Sequence, residues 1–356
     1  MKKRITIQDI ADALGLSRNT ISKALNGTGC VASDTKDLIF QKATELGYKQ
    51  FSLLQDAEYE CDKTITNREI ALFTKSVPGS QYLSSTLLDS FQKKISALGY
   101  RLTIYVLRDT IISSCSLPEN FNADSTDAIL ILELFDETYT NFLCNLETPT
   151  LFVDSFANPQ NKTIASDILY MENKSSTYHL ITHLLNTGCK KIGYVGDYLH
   201  CQSFFERWYG YKEAMHTNSC SNYKDFCILE NDSSPYNNPS WLASKIQSLK
   251  ELPDAFFCAN DFLAICTIKA LKSLNYKLPD DIKVAGFDDS PESQIVEPQL
   301  TTISIKGKDM GYIATNLLLN RIKYPDSPFT VTYTHTDIIL PRFHKNYTLN
   351  TKMPLV

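Results

Sequence analysis

Along the first fifty residues, apolar positions recur at intervals of three and four. Ile7, Ile10, Ala11 and Leu14 form one run, Ile21, Ala24 and Leu25 a second, and Leu38, Ile39, Ala43 and Leu46 a third. The spacing predicts three short amphipathic helices with one apolar side each. Thr6 and Ser17 stand where N-caps are needed, Asp9 lies in the first turn of the first helix, Gly15-Leu16 separates the first run from the second, and Gly47 closes the third. From Arg68 onward the pattern changes to short continuous apolar runs separated by amphipathic stretches. Glu69 to Thr74, Leu102 to Leu107, Asp127 to Leu132, Thr150 to Asp154, Lys191 to Val195, Asp254 to Ala259 and Lys283 to Phe287 read as strands. Strands alternating with helices imply βαβ units and parallel sheets. A stretch of this length exceeds one ordinary sheet domain, so two doubly wound lobes with a cleft between them are expected.

Charge sharpens the division. Residues 1–50 hold eight Lys and Arg against five Asp and Glu, although the whole chain of 356 residues has a formal net charge of -5. A small basic head thus precedes a large acidic body, which suits a head that approaches phosphate. No apolar run is long enough to span a membrane and no secretory h-region follows Met1-Lys2-Lys3-Arg4, so a cytoplasmic location is expected. The ten cysteines are scattered without a C-x-x-C pair and read as reduced thiols rather than a disulfide or zinc framework.

The second head segment, SRNTISKALN, buries Ile21, Ala24 and Leu25 and turns Arg18, Asn19, Ser22, Lys23 and Asn26 outward, a face with donors and no acid. Two helices joined by a short turn containing Gly, propped by a third, make the helix-turn-helix pattern. Arg18 and Lys23 can donate to guanine O6 and N7, Asn19 can pair with adenine, and the hydroxyls of Thr6, Ser17, Thr20 and Ser22 can hold phosphates. A docking or dimerisation module with a solvated polar face would show the same pattern.

In the body, Asp154, Asn260-Asp261 and Asp288-Asp289 close three of the strands, where ligands of open α/β sheets bind. Carboxylates and amides there can bond sugar hydroxyls, and Arg207 can add a fork of donors. Simple capping of the following helices would place the same residue types there. His179 and His183 share a helix face but lack a neighbouring glutamate, and no Walker, G-x-G-x-x-G or G-x-S-x-G pattern occurs, so neither an enzyme nor a bound metal or cofactor is expected.

The head runs Thr6-Ile7-Gln8-Asp9-Ile10-Ala11, then Gly15-Leu16-Ser17, then Thr20-Ile21-Ser22-Lys23-Ala24-Leu25-Asn26-Gly27, closing with Glu45-Leu46-Gly47-Tyr48. This resembles the lactose-repressor/galactose-repressor (LacI/GalR) family of transcriptional regulators. The resemblance continues through residues 149–154, 183–194, 206–211, 254–261, 278–289 and 298–303. It implies an α/β protein with an all-α helix-turn-helix head and a two-lobed, periplasmic-binding-protein-like domain of doubly wound parallel sheets. It also implies a homodimer on a palindromic double-stranded operator, expected to act as a repressor, with a small carbohydrate effector between the lobes. By resemblance Arg18, Asn19 and Lys23 read bases, while Thr6, Ser17, Thr20, Ser22 and Asn26 are expected on phosphates. Asp154, Arg207, Asn260 and Asp288 would contact the effector, with an aromatic platform sought among Tyr236, Trp208 and Trp241, and Tyr82 nominated on the N-lobe side.

The expected domains are the head at 1–48, a hinge at 49–67, an effector-binding and dimerisation domain at 68–345 and a tail at 346–356. The N-lobe is expected at about 68–165 and 304–325, and the C-lobe at about 166–303 and 326–345. The hinge departs from the family pattern. It lacks the usual Pro, Asn and basic residue and carries Asp56, Glu58 and Glu60, which face phosphate unfavourably. Phe51, Leu53 or Leu54 could act as a minor-groove wedge or could merely pack a linker. Two other readings fit parts of the chain: a transport-type binding protein, which would need a signal peptide, and a regulator that answers to a protein partner.

Overall fold

A computed structural model describes residues 5–25, 33–46, 68–76 and 82–340. The chain divides into two compact units, Met1–Thr66 and Asn67–Val356. In the first, α1 (Ile7–Leu14), α2 (Arg18–Leu25) and α3 (Ser33–Leu46) pack on one another. Thr6 opens α1 with a reciprocal capping box: its backbone N–H donates to Asp9 Oδ2 at 2.8 Å and its hydroxyl accepts from Asp9 N–H at 3.4 Å. Gly15 ends the helix at φ 64, a left-handed cap that glycine adopts at little cost. Ser17 then caps α2, its hydroxyl accepting from Thr20 N–H at 3.0 Å. The core is a single stripe of Ile10, Ala11, Ile21, Ala24, Ile39 and Ala43. Leu38, expected inward, is 51% exposed. Ile39 and Ala43 occupy one helical face, and the preceding residue lies about 100° away from it.

The second unit is α/β. Its first sheet is wholly parallel and comprises β1 (Glu69–Thr74), β2 (Arg101–Val106), β3 (Ala128–Leu132), β4 (Thr150–Val153), β5 (Asp167–Met171) and β10 (Val331–Thr334), in the order β10-β5-β4-β3-β1-β2. Alternate residues of β1 enter different cores: Ile70 and Leu72 join one cluster, Ala71 and Phe73 the other. That burial on both faces explains the continuous apolar runs. The second sheet holds β6 (Ile192–Val195), β7 (Ala255–Cys258) and β8 (Lys283–Ala285), also parallel, and an antiparallel pair, β9 (Thr302–Ile305) with β11 (Thr336–Ile339), lies beside it through bridges at Ala285–Thr301 and Asp288–Ser304.

The intervening helices that position the site are α4 (Tyr82–Ala97), α5 (Asp109–Ser113), α6 (Glu137–Cys144), α7 (Lys174–Asn186), α8 (Gln202–Thr217), α9 (Pro239–Ser248), α10 (Asp261–Ser273), α11 (Pro291–Ile295) and α12 (Gly307–Lys323). α4 and α12 cross closely at Gly311, where a Cβ would collide with Ser90 Oγ and the Leu87 carbonyl.

Strand pairing corrects the expected lobe boundaries. β5 and β10, placed by the sequence in the C-lobe, belong to the first sheet, in register Val331 to Ile168. A buried ion pair fixes this return: Arg321 Nε donates to Asp167 Oδ2 at 2.7 Å and Nη2 to Oδ1 at 3.1 Å, while Thr330 N–H donates to the same Oδ1 at 2.8 Å. The chain therefore passes between lobes after Glu172, between β9 and α12, and between β10 and β11. The tail and the hinge lie outside the described residues.

Candidate functional site

Two sets of side chains carry the chemistry. In the head, Arg18, Asn19 and Lys23 are exposed on α2, which has no acid in its first turn. The hydroxyls are already employed locally. Thr6 Oγ1 donates to Asp9 Oδ2 at 2.6 Å, and Ser17 and Thr20 share a hydrogen bond of 2.8 Å. Their first structural task is to fix the helix starts, which aims the α2 donors. Asn26, Phe51, Leu53 and Leu54 lie outside the described residues.

In the body, the ends of β4 and β8 meet the start of α8. Asp154 follows β4 at φ 65 and accepts through one oxygen from Ser155 N–H at 2.8 Å and from Ser203 N–H at 3.2 Å. Ser203 opens α8 in the other lobe, so a first-lobe carboxylate caps a second-lobe helix. The joint is reinforced where Gln202 N–H donates to Ser155 O at 2.8 Å and Asn158 N–H to Gln202 Oε1 at 2.9 Å. One turn on, Arg207 is buried. Its Nε donates to Asn173 Oδ1 at 2.9 Å, its Nη1 donates to Ala259 O at 2.7 Å and lies 3.5 Å from Asp288 Oδ1, and its guanidinium sits 3.6 Å from the centre of the Phe287 ring. A planar fork held by an amide, a carbonyl and an aromatic face can bond hydroxyls or a carboxylate with fixed direction.

Burial pushes the Asp288 carboxyl up to about 6; Arg207 opposes this and the charge of Asp154 adds to it. Asp154 is raised by burial too, with its hydrogen bonds pulling the other way. Asp261 is pushed up to about 8 by burial and by the nearby charge of Asp288, although Thr302 Oγ1 and Ser290 N–H donate to it at 2.6 and 2.8 Å. A carboxyl with that pKa is largely protonated at neutral pH and can itself donate.

Asp154, Arg207 and Asp288 are thus brought together. Asn260 is adjacent, but its side-chain oxygen caps α10, accepting from Leu263 N–H at 2.9 Å. Trp208 is a core residue rather than an open platform, which corrects that expectation: it is 4% exposed, stacked on Tyr198 and Tyr211 and edge-on to Tyr194. Tyr236 is buried edge-on against Trp241, its hydroxyl donating to Glu230 O at 2.7 Å; no described contact joins either to Arg207 or Asp288. Tyr82 begins α4.

Several residues escaped the sequence reading. Asn173 is fully buried and bonds Arg207, Glu206, Ser203 and the Met171 carbonyl. Glu206 accepts from Tyr333 Oη at 2.8 Å, linking α8 to the first sheet. Phe135 of the first lobe meets His200 of the second with ring centres 5.1 Å apart, and His200 in turn packs on Phe204 at 4.9 Å and bonds Asp232 at 2.6 Å. Glu206 stood beside Arg207 in the E-R-W-Y-G run, whereas Asn173 follows a strand that the sequence reading did not identify.

Comparison with known proteins agrees with the architecture of a helix-turn-helix head and an α/β body. Residues 6–50 match the family of bacterial regulatory proteins of the lacI type, and residues 181–340 match a periplasmic binding protein-like domain. The chain is 26% identical over 355 residues to the HTH-type transcriptional repressor PurR of Actinobacillus pleuropneumoniae serotype 3 (strain JL03), covering 96% of this chain and 98% of the relative. Among solved structures, a lac repressor dimer bound to operator and the anti-inducer ONPF superposes with a TM-score of 0.63 at 20% identity, over 95% of this chain and 98% of the other. A CelR-cellobiose complex gives a TM-score of 0.63 at 18% identity, over 95% and 99%. These relatives are regulators rather than enzymes. With a capped three-helix head and a two-lobed α/β body in one chain, the protein belongs to the LacI/GalR family of DNA-binding transcriptional regulators.

Proposed function

We propose that this regulator is a homodimeric repressor that binds a palindromic operator and changes its affinity when a small carbohydrate enters between the lobes. The observation that carries the reading is the acid-free, exposed donor face of α2 on a capped head. Arg18, Asn19 and Lys23 read base edges in the major groove, and Thr6, Ser17, Thr20, Ser22 and Asn26 hold phosphates. Two-fold DNA calls for a two-fold protein. Phe262 and Ile295, 56% and 82% exposed on α10 and α11, are apolar surface that self-association would cover.

For the effector, Asp154, Arg207 and Asp288 form the polar centre, with Asn260 at its edge through the amide that its cap leaves over. Cellobiose in the CelR complex supports a carbohydrate ligand, and the anti-inducer ONPF in the lac repressor complex supports a small-molecule effector. A ligand hydroxyl that takes the Asp154 carboxylate competes with Ser203 N–H, and so acts on the joint between lobes. Such differential contact is what allostery requires, with a coupling of about 1 to 3 kcal/mol.

Selection of bound genomic fragments by the purified full-length protein, with and without a panel of mono- and disaccharides, tests the reading. One palindromic sequence enriched in a sugar-dependent way is the expected result. Enrichment that no sugar alters, together with silent calorimetric titrations, would replace the carbohydrate effector with another signal.

A further inference from the structure

The outward side of α8 carries Tyr209, Lys212, Glu213 and His216, spaced to share one helical face. α7 is held close against α8 at Gly210, where a Cβ would collide with the Lys174 carbonyl. Lys174, the first residue of α7, is thereby set beside that face and pairs with Glu213 at 2.7 Å. Tyr223 forms another wall. These six residues line a concavity of about 380 Å³ on the second lobe, and none of them belongs to the Asp154, Arg207 and Asp288 cluster.

Its charge is lopsided. Glu213, the single carboxylate in the lining, is already paired with Lys174. Lys212 has no carboxylate partner among the described residues; its ammonium lies 4.0 Å from the centre of the Tyr209 ring and 5.7 Å from Trp208. Burial and the charge of Lys224 both push the Lys212 pKa down, as expected of a cation that lacks a compensating anion. The aromatic walls are pre-set: Tyr209 packs on Phe205 at 5.3 Å between ring centres, and Tyr223 on Tyr211 at 5.8 Å.

We propose that this concavity binds a nucleoside monophosphate, with the phosphate held by Lys212 and His216 and the base laid against Tyr209 and Tyr223. A phosphate monoester presents oxygens that accept from an ammonium and from an imidazole N–H, and a flat base gains from contact with tyrosine faces. The size favours one small molecule over a protein segment, since small-ligand pockets span about 300 to 1,000 Å³.

Calorimetric titration of the full-length protein with AMP, adenosine, ribose 5-phosphate and inorganic phosphate tests this. AMP is expected to bind once per chain, with each of the other three about tenfold weaker or worse. Lys212→Met should weaken AMP by about tenfold, Lys212→Arg should retain it and Tyr209→Ala should weaken it. Asp288→Asn, in the interlobe cluster, should leave AMP affinity unchanged. The proposal is overturned if AMP fails to bind, if Lys212→Met leaves its affinity intact, or if Asp288→Asn abolishes binding. Inorganic phosphate binding as well as AMP, or a polyglutamate peptide binding in its place, would overturn it equally.

Discussion

In the head, Arg18, Asn19 and Lys23 stand in water on a helix supported by six buried apolar side chains; in the body, Arg207 is buried, Asp288 is half-buried 3.5 Å from it, and Asp154 is half-buried and held by the Ser155 and Ser203 N–H groups. Exposed donors carry no desolvation penalty until they meet DNA, so substituting one alters recognition and leaves the fold nearly untouched. Buried charges depend on their neighbours, so substituting one disturbs stability, protonation and ligand response together. In the proposed mechanism the regulator would thus read with groups that are independent and sense with groups that are coupled.

The strongest way to expose the contrast is to break a buried pair in the body. Arg321→Ala leaves Asp167 without its bidentate partner and releases the strand that returns to the first sheet. A loss of about 3 to 5 kcal/mol is expected for such a half-removed pair. Urea unfolding followed by body tyrosine and tryptophan fluorescence should show it, and an unchanged midpoint would mean that the clamp contributes nothing.

A smaller effect is expected at the interlobe cluster. Arg207→Ala removes the bonds to Asn173 and Ala259 and leaves Asp288 without its cation, so the Asp288 carboxyl should rise further above about 6. Stability should fall by about 1 to 3 kcal/mol and the response to effector should vanish, while operator affinity without effector is kept. Retained sugar affinity with lost operator binding would reverse the assignment of head and body.

The pH dependence of the body separates the regions further. The Asp261 carboxyl is raised from 3.8 to about 8, so the folded state holds its proton more tightly than the unfolded chain does. Its contribution to stability is complete below about pH 3.8 and is lost as pH rises through about 8. Asp261→Asn should flatten the decline in urea midpoint over that window. An equally steep decline in the variant would place the titrating group elsewhere. Least of all, Thr6→Ala removes the capping box of α1 and should lower head stability by about 1 kcal/mol, read as a small fall in its thermal midpoint.

The same contrast governs what could be read from the sequence. Head helices are set by local signals, with caps at Thr6 and Ser17, Gly15 as a stop and one apolar stripe, and the structure places their starts there. Central strands of the body announced themselves too: Glu69–Thr74 was expected and found with the same bounds. β10 and β11, by contrast, contain polar or exposed residues, and their strand character comes from pairing with β5 and β9, far away in sequence. Missing β10 shifted one lobe boundary; missing β5, although it is buried throughout, shifted the other and hid Asn173, which follows it. That Asp154, Arg207 and Asp288 lie near one another was legible because strand ends and an unusual arginine mark them. Trp208 misled for the opposite reason, since nothing local distinguishes an aromatic that closes a core from one that faces a ligand.

Base reading by α2 is the centre of the proposed mechanism. It is tested most directly by measuring the affinity of wild type and Arg18→Ala for the selected operator and for every single-base variant of one half-site. The expected result is a loss of about 1 to 3 kcal/mol on the operator, with discrimination abolished at one position and preserved at the others. An unchanged profile of base preference, or an equal loss on every sequence, would contradict base reading by Arg18.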